Sequence, residues 1–253
     1  MTRTRWFLLV MLMAIVVAPQ LWASSTAPGM QPDEAVAKLK EGNARFVSGA
    51  PQRPNQDQDR RSSTASAGQH PFATVLGCSD SRAPVEMLFD SGIGDIFVIR
   101  VAGNVADTDE VGSVEYAVEH LGTPVLVVLG HTQCGAVTAV AKNAEVHGKI
   151  APLVAKIRPA VAKTKALYPQ SSGDDFINEA IRSNVWQTIE DIFRSSPVTA
   201  TKVLSGQLKV VGAIYHIDSG SVHWLGSHPL EDQLLAKYKS ATPHKKSKRP
   251  AHQ

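Results

Sequence analysis

Residues 72–82 read FATVLGCSDSR, and residues 125–135 read VLVVLGHTQCG. In each stretch a short, continuously apolar run predicts a buried strand of a parallel sheet, because such a sheet is covered on both faces. Polar side chains follow each run at once. Open α/β sheets place their active sites at the ends of their strands. The two stretches therefore predict a functional site at one edge of a mainly parallel sheet flanked by helices.

The polar residues that follow the two runs are of metal-ligand types. Cys78 and Asp80 follow the first run, and His131 and Cys134 follow the second. Two thiolates, an imidazole and a carboxylate are enough for one tetrahedral zinc ion. His131 and Cys134 are close enough in sequence for a turn that enters a helix to present both to one ion. We also expect a position near a helix N-terminus to lower the pKa of the Cys134 thiol.

The two cysteines also have a simpler explanation, which is a Cys78–Cys134 disulfide in an exported protein. Asp80 and His131 at ligand spacing favour the metal site over the disulfide. Arg82 lies two positions after Asp80, and a guanidinium can pair with a carboxylate through two hydrogen bonds. Asp80 would then either ligate zinc and close the site, or turn to Arg82 and leave a coordination position for water.

The first residues have the order of a secretory signal peptide. Arg3 and Arg5 precede an apolar run from Trp6 to Ala18 that is too short to span a bilayer comfortably. We expect cleavage after Ala23, export to the periplasm of a Gram-negative cell, and no stable membrane anchor after processing. The alternative is an N-terminal anchor that is not cleaved.

The chain divides into four segments, and charge is unevenly distributed among them. The net charge is +3 at pH 7. The end of the chain contains basic residues and no acid, so the body between the signal peptide and the tail is mildly acidic. General nucleic-acid binding is therefore not expected. The segments are a signal peptide (1–23), a linker (24–34), one catalytic domain (35–236) and a basic disordered tail (237–253).

Apolar patterning predicts the elements of the domain. The helices expected are one that opens at Pro32, one from Ser113 to Leu121 with Ser113 as its cap, and one from Asp174 to Arg194. Residues 49–68 lack periodicity and are expected to be an extended surface stretch. Asp218-Ser219-Gly220 predicts a hairpin turn. The expected strands are 72–76, 96–101, 125–129 and 210–217.

Four motifs closely resemble those of the β-class carbonic anhydrases, and the resemblance runs from about residue 35 to residue 225. The motifs are Cys78-Ser79-Asp80-Ser81-Arg82, Arg100-Val101-Ala102-Gly103-Asn104, Glu115-Tyr116-Ala117-Val118 and Gly130-His131-Thr132-Gln133-Cys134-Gly135. Ala83 departs from the pattern, because the family usually carries a branched aliphatic residue there.

The resemblance implies zinc held by Cys78, His131 and Cys134, with Asp80 as fourth ligand or as partner of Arg82. It implies that Gln69 forms a hydrogen bond to substrate. It also implies an N-terminal helical arm that crosses to a second subunit, in a homodimer or a dimer of dimers. The implied activity is reversible hydration of carbon dioxide to bicarbonate and a proton through zinc-bound hydroxide.

Two other functions remain open at the level of the sequence. Carbon disulfide and carbonyl sulfide hydrolases resemble this family and share its ligand set, so the same zinc site could act on those substrates. A disulfide-stabilised binding module without metal is the non-enzyme alternative. The Asp80–Arg82 pair argues against the binding module, and metal analysis would decide.

Overall fold

The computed structural model describes residues 29–239, which form one five-stranded sheet in the order β2-β1-β3-β4-β5. The first four strands are parallel, and β5 runs antiparallel to β4. The predicted mainly parallel sheet is thus confirmed. The strands are β1 (Ala73–Gly77), β2 (Ile96–Arg100), β3 (Val125–His131), β4 (Lys209–Tyr215) and β5 (Val222–Gly226).

Helices connect the strands and cover both faces of the sheet. They are α1 (Pro32–Val47), α2 (Gln58–Ala67), α3 (Val85–Leu88), α4 (Thr108–Glu115), α5 (Gly135–Ala141), α6 (Ile150–Ala155), α7 (Arg158–Leu167), α8 (Gly173–Ser195), α9 (Pro197–Leu204) and α10 (Glu231–Lys239). A π-helical turn, Tyr116–His120, continues α4. Among these residues, no helix has the length and apolarity needed to cross a membrane.

The core lies on both faces of the sheet, because successive side chains of a strand point to opposite faces. Leu126 and Val128 of β3 pack in the cluster that contains the apolar face of α8. Val125 and Val127 pack in the cluster that contains α1. All four side chains are fully buried. This two-sided burial explains why the strand sequence is continuously apolar rather than alternating.

The predicted strands all form, with bounds that differ by one or two residues. The difference matters most at β3, which runs on through Gly130 and ends at His131. The ligand segment that starts at His131 therefore begins inside a strand rather than after it. The predicted hairpin turn also forms and joins β4 to β5, with the Gly220 N–H donating to the His216 carbonyl at 2.8 Å.

Residues 49–68 are not extended throughout, because α2 forms within them and the prediction is wrong there. Asp57 caps this helix by accepting a hydrogen bond from the Arg60 N–H at 2.7 Å. The Thr64 hydroxyl donates to the Arg60 carbonyl at 2.8 Å. No residue of α2 is buried, so the helix leaves no apolar periodicity in the sequence.

The helix predicted from Ser113 begins earlier, at Thr108, and the prediction of its cap is wrong. Asp107 is the N-cap, and Glu110 completes a capping box by accepting the Asp107 N–H at 2.9 Å. Ser113 lies inside the helix, where its hydroxyl donates to the Asp109 carbonyl at 2.8 Å. The acidic caps here are a stronger start signal than the serine.

Two segment boundaries also differ from the prediction. Helix α1 begins at Pro32, so the linker ends at residue 31 rather than 34. Lys237 and Lys239 lie in the last turn of α10, so the basic tail does not begin at residue 237. The predicted signal peptide, 1–23, and the tail after residue 239 lie outside the described residues.

Helix α1 packs on the sheet of its own subunit. The Asn43 amide donates to the Gly220 carbonyl at 2.9 Å, and its oxygen accepts the Val222 N–H at 2.9 Å. Leu39 and Ala35 are fully buried in the same cluster as β3 and β4. Helix α1 is therefore part of the core of its own subunit, and the crossing of the N-terminal arm to a second subunit stays a prediction.

Candidate metal centre

Cys78, His131 and Cys134 come together at the carboxyl edge of the sheet. Their ligand atoms all lie within 4.8 Å of one another, and all three residues are buried. Cys78 follows β1, His131 ends β3, and Cys134 is the N-cap of α5. The register of the parallel strands explains this meeting, because Gly77 pairs with Leu129 and so brings both ligand segments to one edge.

A tight turn carries the chain from His131 to Cys134. Thr132 makes two hydrogen bonds in this turn. Its N–H donates to the Tyr215 carbonyl at 2.9 Å, and its side-chain hydroxyl accepts the Ile217 N–H at 3.1 Å. Gln133 then takes the left-handed conformation, with φ of +57°. The turn is thereby anchored to β4, and the start of α5 points Cys134 back at the cluster.

His131 has the hydrogen-bonding pattern of a metal ligand. Its Nδ1 lies 2.9 Å from the Thr132 carbonyl, which fixes the proton on Nδ1 and leaves a lone pair on Nε2. Nε2 is buried and has no hydrogen-bond partner among residues 29–239. An unpaired buried nitrogen lowers stability, and coordination of a metal would satisfy it. Both cysteines are free thiols, so the donor set fits zinc.

The two cysteines behave as one thiolate and one thiol. The Cys134 thiol donates to Cys78, and together with smaller contributions from His131 and the Gly103 N–H it lowers the pKa of Cys78 to about 4. The hydrogen bond with Cys78, together with burial, raises the pKa of Cys134. The N–H groups of Ala136 and Val137 at the start of α5 lower the pKa of Cys134 as expected, but the Cys78 thiolate and burial outweigh them.

Asp80 is turned to Arg82 beside the cluster. The guanidinium donates from Nε to Oδ1 at 3.0 Å and from Nη2 to Oδ2 at 2.8 Å. Hydrogen bonding to Arg82 holds the pKa of the Asp80 carboxyl well below its usual range. Asp80 Oδ2 still lies 3.9 Å from His131 Nε2. Of the two arrangements expected for Asp80, the structure has the one paired with Arg82.

Arg100 holds the loop between Cys78 and Asp80, a role that sequence reasoning missed. Its Nε donates to the Cys78 carbonyl at 2.9 Å, and its Nη2 donates to the Asp80 carbonyl at 2.6 Å. Arg100 belongs to one of the motifs quoted above, but the motif does not predict which carbonyls accept its hydrogen bonds. A charged residue that ends an apolar strand next to a ligand strand is the signal that could have found it.

Gln69, unlike the other predicted site residues, does not lie near the cluster of its own subunit. It is exposed and lies before the amino end of β1, whereas Cys78 follows the carboxyl end. The five residues of β1 alone separate the two by about 17 Å. Its Cβ lies 3.9 Å from the position of a Cβ built on Gly94, near the start of β2. Gln69 is thus at the opposite edge of the sheet.

A cleft of about 690 Å³ opens on the other side of the ligand turn. Thr132, Gln133 and Gly135 line it, whereas Cys78, Asp80 and His131 do not. The rest of its wall comes from α5, α8, the end of β4 and the hairpin into β5. This cleft is therefore a neighbour of the metal centre and not its cavity.

Comparison with known proteins agrees with this geometry. The profile of the family described as carbonic anhydrase matches residues 73–222. The chain is 39% identical over 197 residues to "Carbonic anhydrase 2" of Mycobacterium tuberculosis, which covers 76% of this chain and 92% of that protein. It is 40% identical over 205 residues to "Carbonic anhydrase" of Mycolicibacterium smegmatis, covering 79% and 96%. The crystal structure of the β-carbonic anhydrase CafA of Aspergillus fumigatus superposes with a TM-score of 0.65 at 28% identity, covering 83% and 97%.

Proposed function

The chain belongs to the β-class carbonic anhydrases, enzymes that convert carbon dioxide and water to bicarbonate and a proton, and we propose that it does so with zinc held by Cys78, His131 and Cys134. The observation that carries this proposal is the buried cluster of those three residues, in which His131 Nε2 has no partner within the described chain. Three protein ligands leave one position of a tetrahedral zinc open, as catalysis requires.

Asp80 and Arg82 prepare the nucleophile and its direction of attack. When bound, zinc supplies a nucleophile by lowering the pKa of water toward ~7. Asp80 stays ionised because Arg82 donates two hydrogen bonds to it. Its carboxylate would accept the hydrogen of the attacking hydroxide and so orient a lone pair toward the carbon of carbon dioxide. Arg82, by pairing with the carboxylate, would keep it from ligating the metal.

Gln69 would contribute to the active site from a second subunit. Within one chain it lies at the edge of the sheet opposite Cys78, so it cannot reach the substrate of its own cluster. Strand β2, at the edge of the sheet, pairs only with β1 among the described residues. Half-buried Phe97 on that strand contacts the exposed ring of Tyr116, with ring centroids 5.9 Å apart. This apolar edge supports a homodimer in which Gln69 faces the partner's cluster.

The enzyme would be exported. Arg3, Arg5 and the apolar run from Trp6 to Ala18 support a cleaved signal peptide and a periplasmic location. Mass spectrometry of the product secreted by a Gram-negative host should show loss of residues through about Ala23. A full-length product in the cytosol would contradict the proposal, and a full-length product in the inner membrane would favour the uncleaved anchor.

A stopped-flow carbon dioxide hydration assay on the mature chain, with zinc measured in the same preparation, tests the proposed function. We expect hydration by the zinc-loaded protein and its loss on removal of zinc. The same preparation should be assayed for hydrolysis of carbonyl sulfide and carbon disulfide. Hydrolysis of either compound by zinc-loaded protein that fails to hydrate carbon dioxide would identify the alternative function on the same site.

A further inference from the structure

The turn that follows β2 donates a backbone hydrogen bond to a ligand sulfur. The Gly103 N–H points at Cys78 Sγ, with nitrogen and sulfur 3.2 Å apart. Gly103 and Asn104 both take the left-handed conformation, with φ of +78° and +44°. Two successive left-handed residues, the second of them not glycine, form a conformation that the chain does not hold by itself. Something outside the turn must hold it.

Helix α8 holds the turn with two side chains one helical turn apart. The Asn184 amide donates to the Gly103 carbonyl at 2.7 Å, and the Thr188 hydroxyl donates to the Asn104 carbonyl at 2.9 Å. Asn184 and Thr188 are each only 1% exposed. Helix α8 thus holds the turn through two successive carbonyls. The Gly103 N–H and carbonyl belong to successive peptide planes joined by φ and ψ of Gly103. Holding the carbonyl while the turn keeps φ at +78° therefore restricts where the N–H points.

The turn packs closely against its neighbours at Gly103. A Cβ on Gly103 would lie 2.7 Å from Ile157 Cδ1 and 3.1 Å from the Ala136 Cβ. Ala136 is the second residue of α5, the helix that Cys134 caps. The backbone of the turn is therefore pressed against the same helix that carries a second ligand.

Packing alone does not explain an asparagine at position 184. Asn184 Oδ1 is buried and has no hydrogen-bond partner within residues 29–239, and the same is true of Asn104 Nδ2. The unsatisfied oxygen of Asn184 lowers stability, whereas its amide satisfies the buried Gly103 carbonyl. Its amide bonds to Gly103, the residue whose N–H donates to the Cys78 sulfur, and this points to a role in the site.

We propose that Asn184, assisted by Thr188, is a positioning residue of the metal centre: it aims the Gly103 N–H at the Cys78 sulfur. This inference rests on the proposed zinc site. Groups that form hydrogen bonds to metal ligands orient them, and loss of such a group typically weakens metal binding or activity by roughly 10- to 100-fold. Asn184 acts on the metal only through Gly103 and Cys78, so its effect should appear in metal binding itself.

The test compares Asn184→Leu with Asn43→Leu. Asn43 is also a buried asparagine, and its amide also donates to backbone carbonyls, those of Leu88 and Gly220. It lies on α1, across the sheet from α8. The zinc affinity of wild type and both variants is measured by competition with a chelator. Each protein is also loaded with cobalt(II), whose sulfur-to-metal absorption band reports on the ligand sulfurs.

We expect Asn184→Leu to bind zinc roughly 10- to 100-fold more weakly and to shift the cobalt band, whereas Asn43→Leu keeps both properties. Equal zinc affinities in wild type and Asn184→Leu would overturn the inference, as would equal losses in the two variants. Failure of the wild type to bind zinc would instead refute the proposed function, and this inference with it.

Thr188→Val and Thr164→Val decide the question if Asn184→Leu does not fold. Both threonines are buried on helices and donate to the carbonyl four residues earlier, at 2.9 Å in each case. Only Thr188 also reaches the turn. We expect a several-fold weaker zinc affinity for Thr188→Val alone. Identical affinities in the two valine variants would overturn the inference.

Discussion

At the scale of single residues, the Asp80 carboxylate has two possible partners, Arg82 and the metal. The structure pairs it with Arg82 through two hydrogen bonds and leaves it 3.9 Å from His131 Nε2. A carboxylate that close can ligate the metal, accept a hydrogen from the nucleophile, or do each at a different time. Substitutions that change its charge but not its shape separate these roles.

We predict that Asp80→Asn retains zinc and loses most of its activity. The three remaining ligands are untouched, and an amide is nearly the same shape as a carboxyl group. The amide no longer attracts the hydrogen of the nucleophile, so hydration should fall by at least about 100-fold. Zinc content and stopped-flow rates measure the two effects, with His131→Ala as a control that should lose the metal. Loss of zinc from Asp80→Asn would show that Asp80 is mainly a ligand.

We predict that Arg82→Ala lowers hydration most near neutral pH. Without Arg82, the pKa of Asp80 rises toward its usual ~3.9, so the carboxylate is still ionised at pH 7. Protonation of Asp80 therefore does not explain the loss. The freed carboxylate would instead ligate the metal and block it, and hydroxide would compete with it better at high pH. A rate profile from pH 6 to 9 should show partial recovery at the alkaline end. Full activity of Arg82→Ala at pH 7 would refute the gating role.

The ligands could be predicted from sequence because each pair lies within a few residues, at the end of an apolar run. The residues that support them could not. Gly103 reaches Cys78 across 25 positions, and Asn184 reaches Gly103 across 81. Such pairings depend on where α8 docks, which local pattern does not determine. Gln69 shows a different limit. The resemblance to the family implies its role, but the fold of one subunit places it at the edge of the sheet opposite the cluster.

At the scale of elements, the sequence predicts strands better than helices. The buried strands form continuous apolar runs, and the sheet register follows from them. Helix α2 escapes prediction because no side chain of it is buried. Helix α1 docks through buried polar contacts as well as apolar ones. Asp90, at the end of α3, accepts Arg45 Nε at 2.6 Å and the N–H groups of Gln52 and Arg53 at 2.9 and 2.8 Å.

We predict that Asp90→Ala destabilises the fold by roughly 2 kcal/mol at pH 7, since it leaves the Arg45 side chain and two backbone N–H groups without their partner. Burial would raise the pKa of Asp90, but hydrogen bonds from Arg45, Gln52 and Arg53 outweigh it and hold the pKa below its usual value.

The contribution of Asp90 is therefore fully present above the unfolded pKa of ~3.9 and is lost as pH falls through the folded value. Urea unfolding from pH 3 to 7 should show the difference between wild type and Asp90→Ala shrinking below pH 4. Asp232→Ala, which removes the exposed ion pair with Lys239, is the control and should change little. A difference that is independent of pH would contradict this account.

At the scale of the whole molecule, the active site would be complete only in an oligomer. The metal cluster lies at the carboxyl edge of the sheet, and Gln69 lies at the amino edge of the same sheet. A two-fold axis beside β2 would bring the two edges of neighbouring subunits together. The sequence of one chain does not contain this information, because it depends on how two surfaces fit.

We predict that Gln69 acts across the dimer. Gln69→Ala alone should hydrate carbon dioxide slowly, and Cys78→Ser alone should lack a metal. Co-expression of the two should produce mixed dimers with one complete site out of two. The purified mixed dimer should then have about half of wild-type activity, and the unseparated, randomly paired mixture about a quarter. The specific activity of the purified mixed dimer measures this. No gain over Gln69→Ala would place the function of Gln69 elsewhere.

The measurement that tests the central claim most directly is a zinc titration of the metal-free mature chain, with hydration followed at each addition. We predict that activity rises in proportion to bound zinc and stops rising at one zinc per subunit, and that Cys78→Ser, His131→Ala and Cys134→Ser do not follow this curve. Hydration that does not depend on zinc would contradict the account. So would less than about half a zinc per subunit together with a Cys78–Cys134 disulfide.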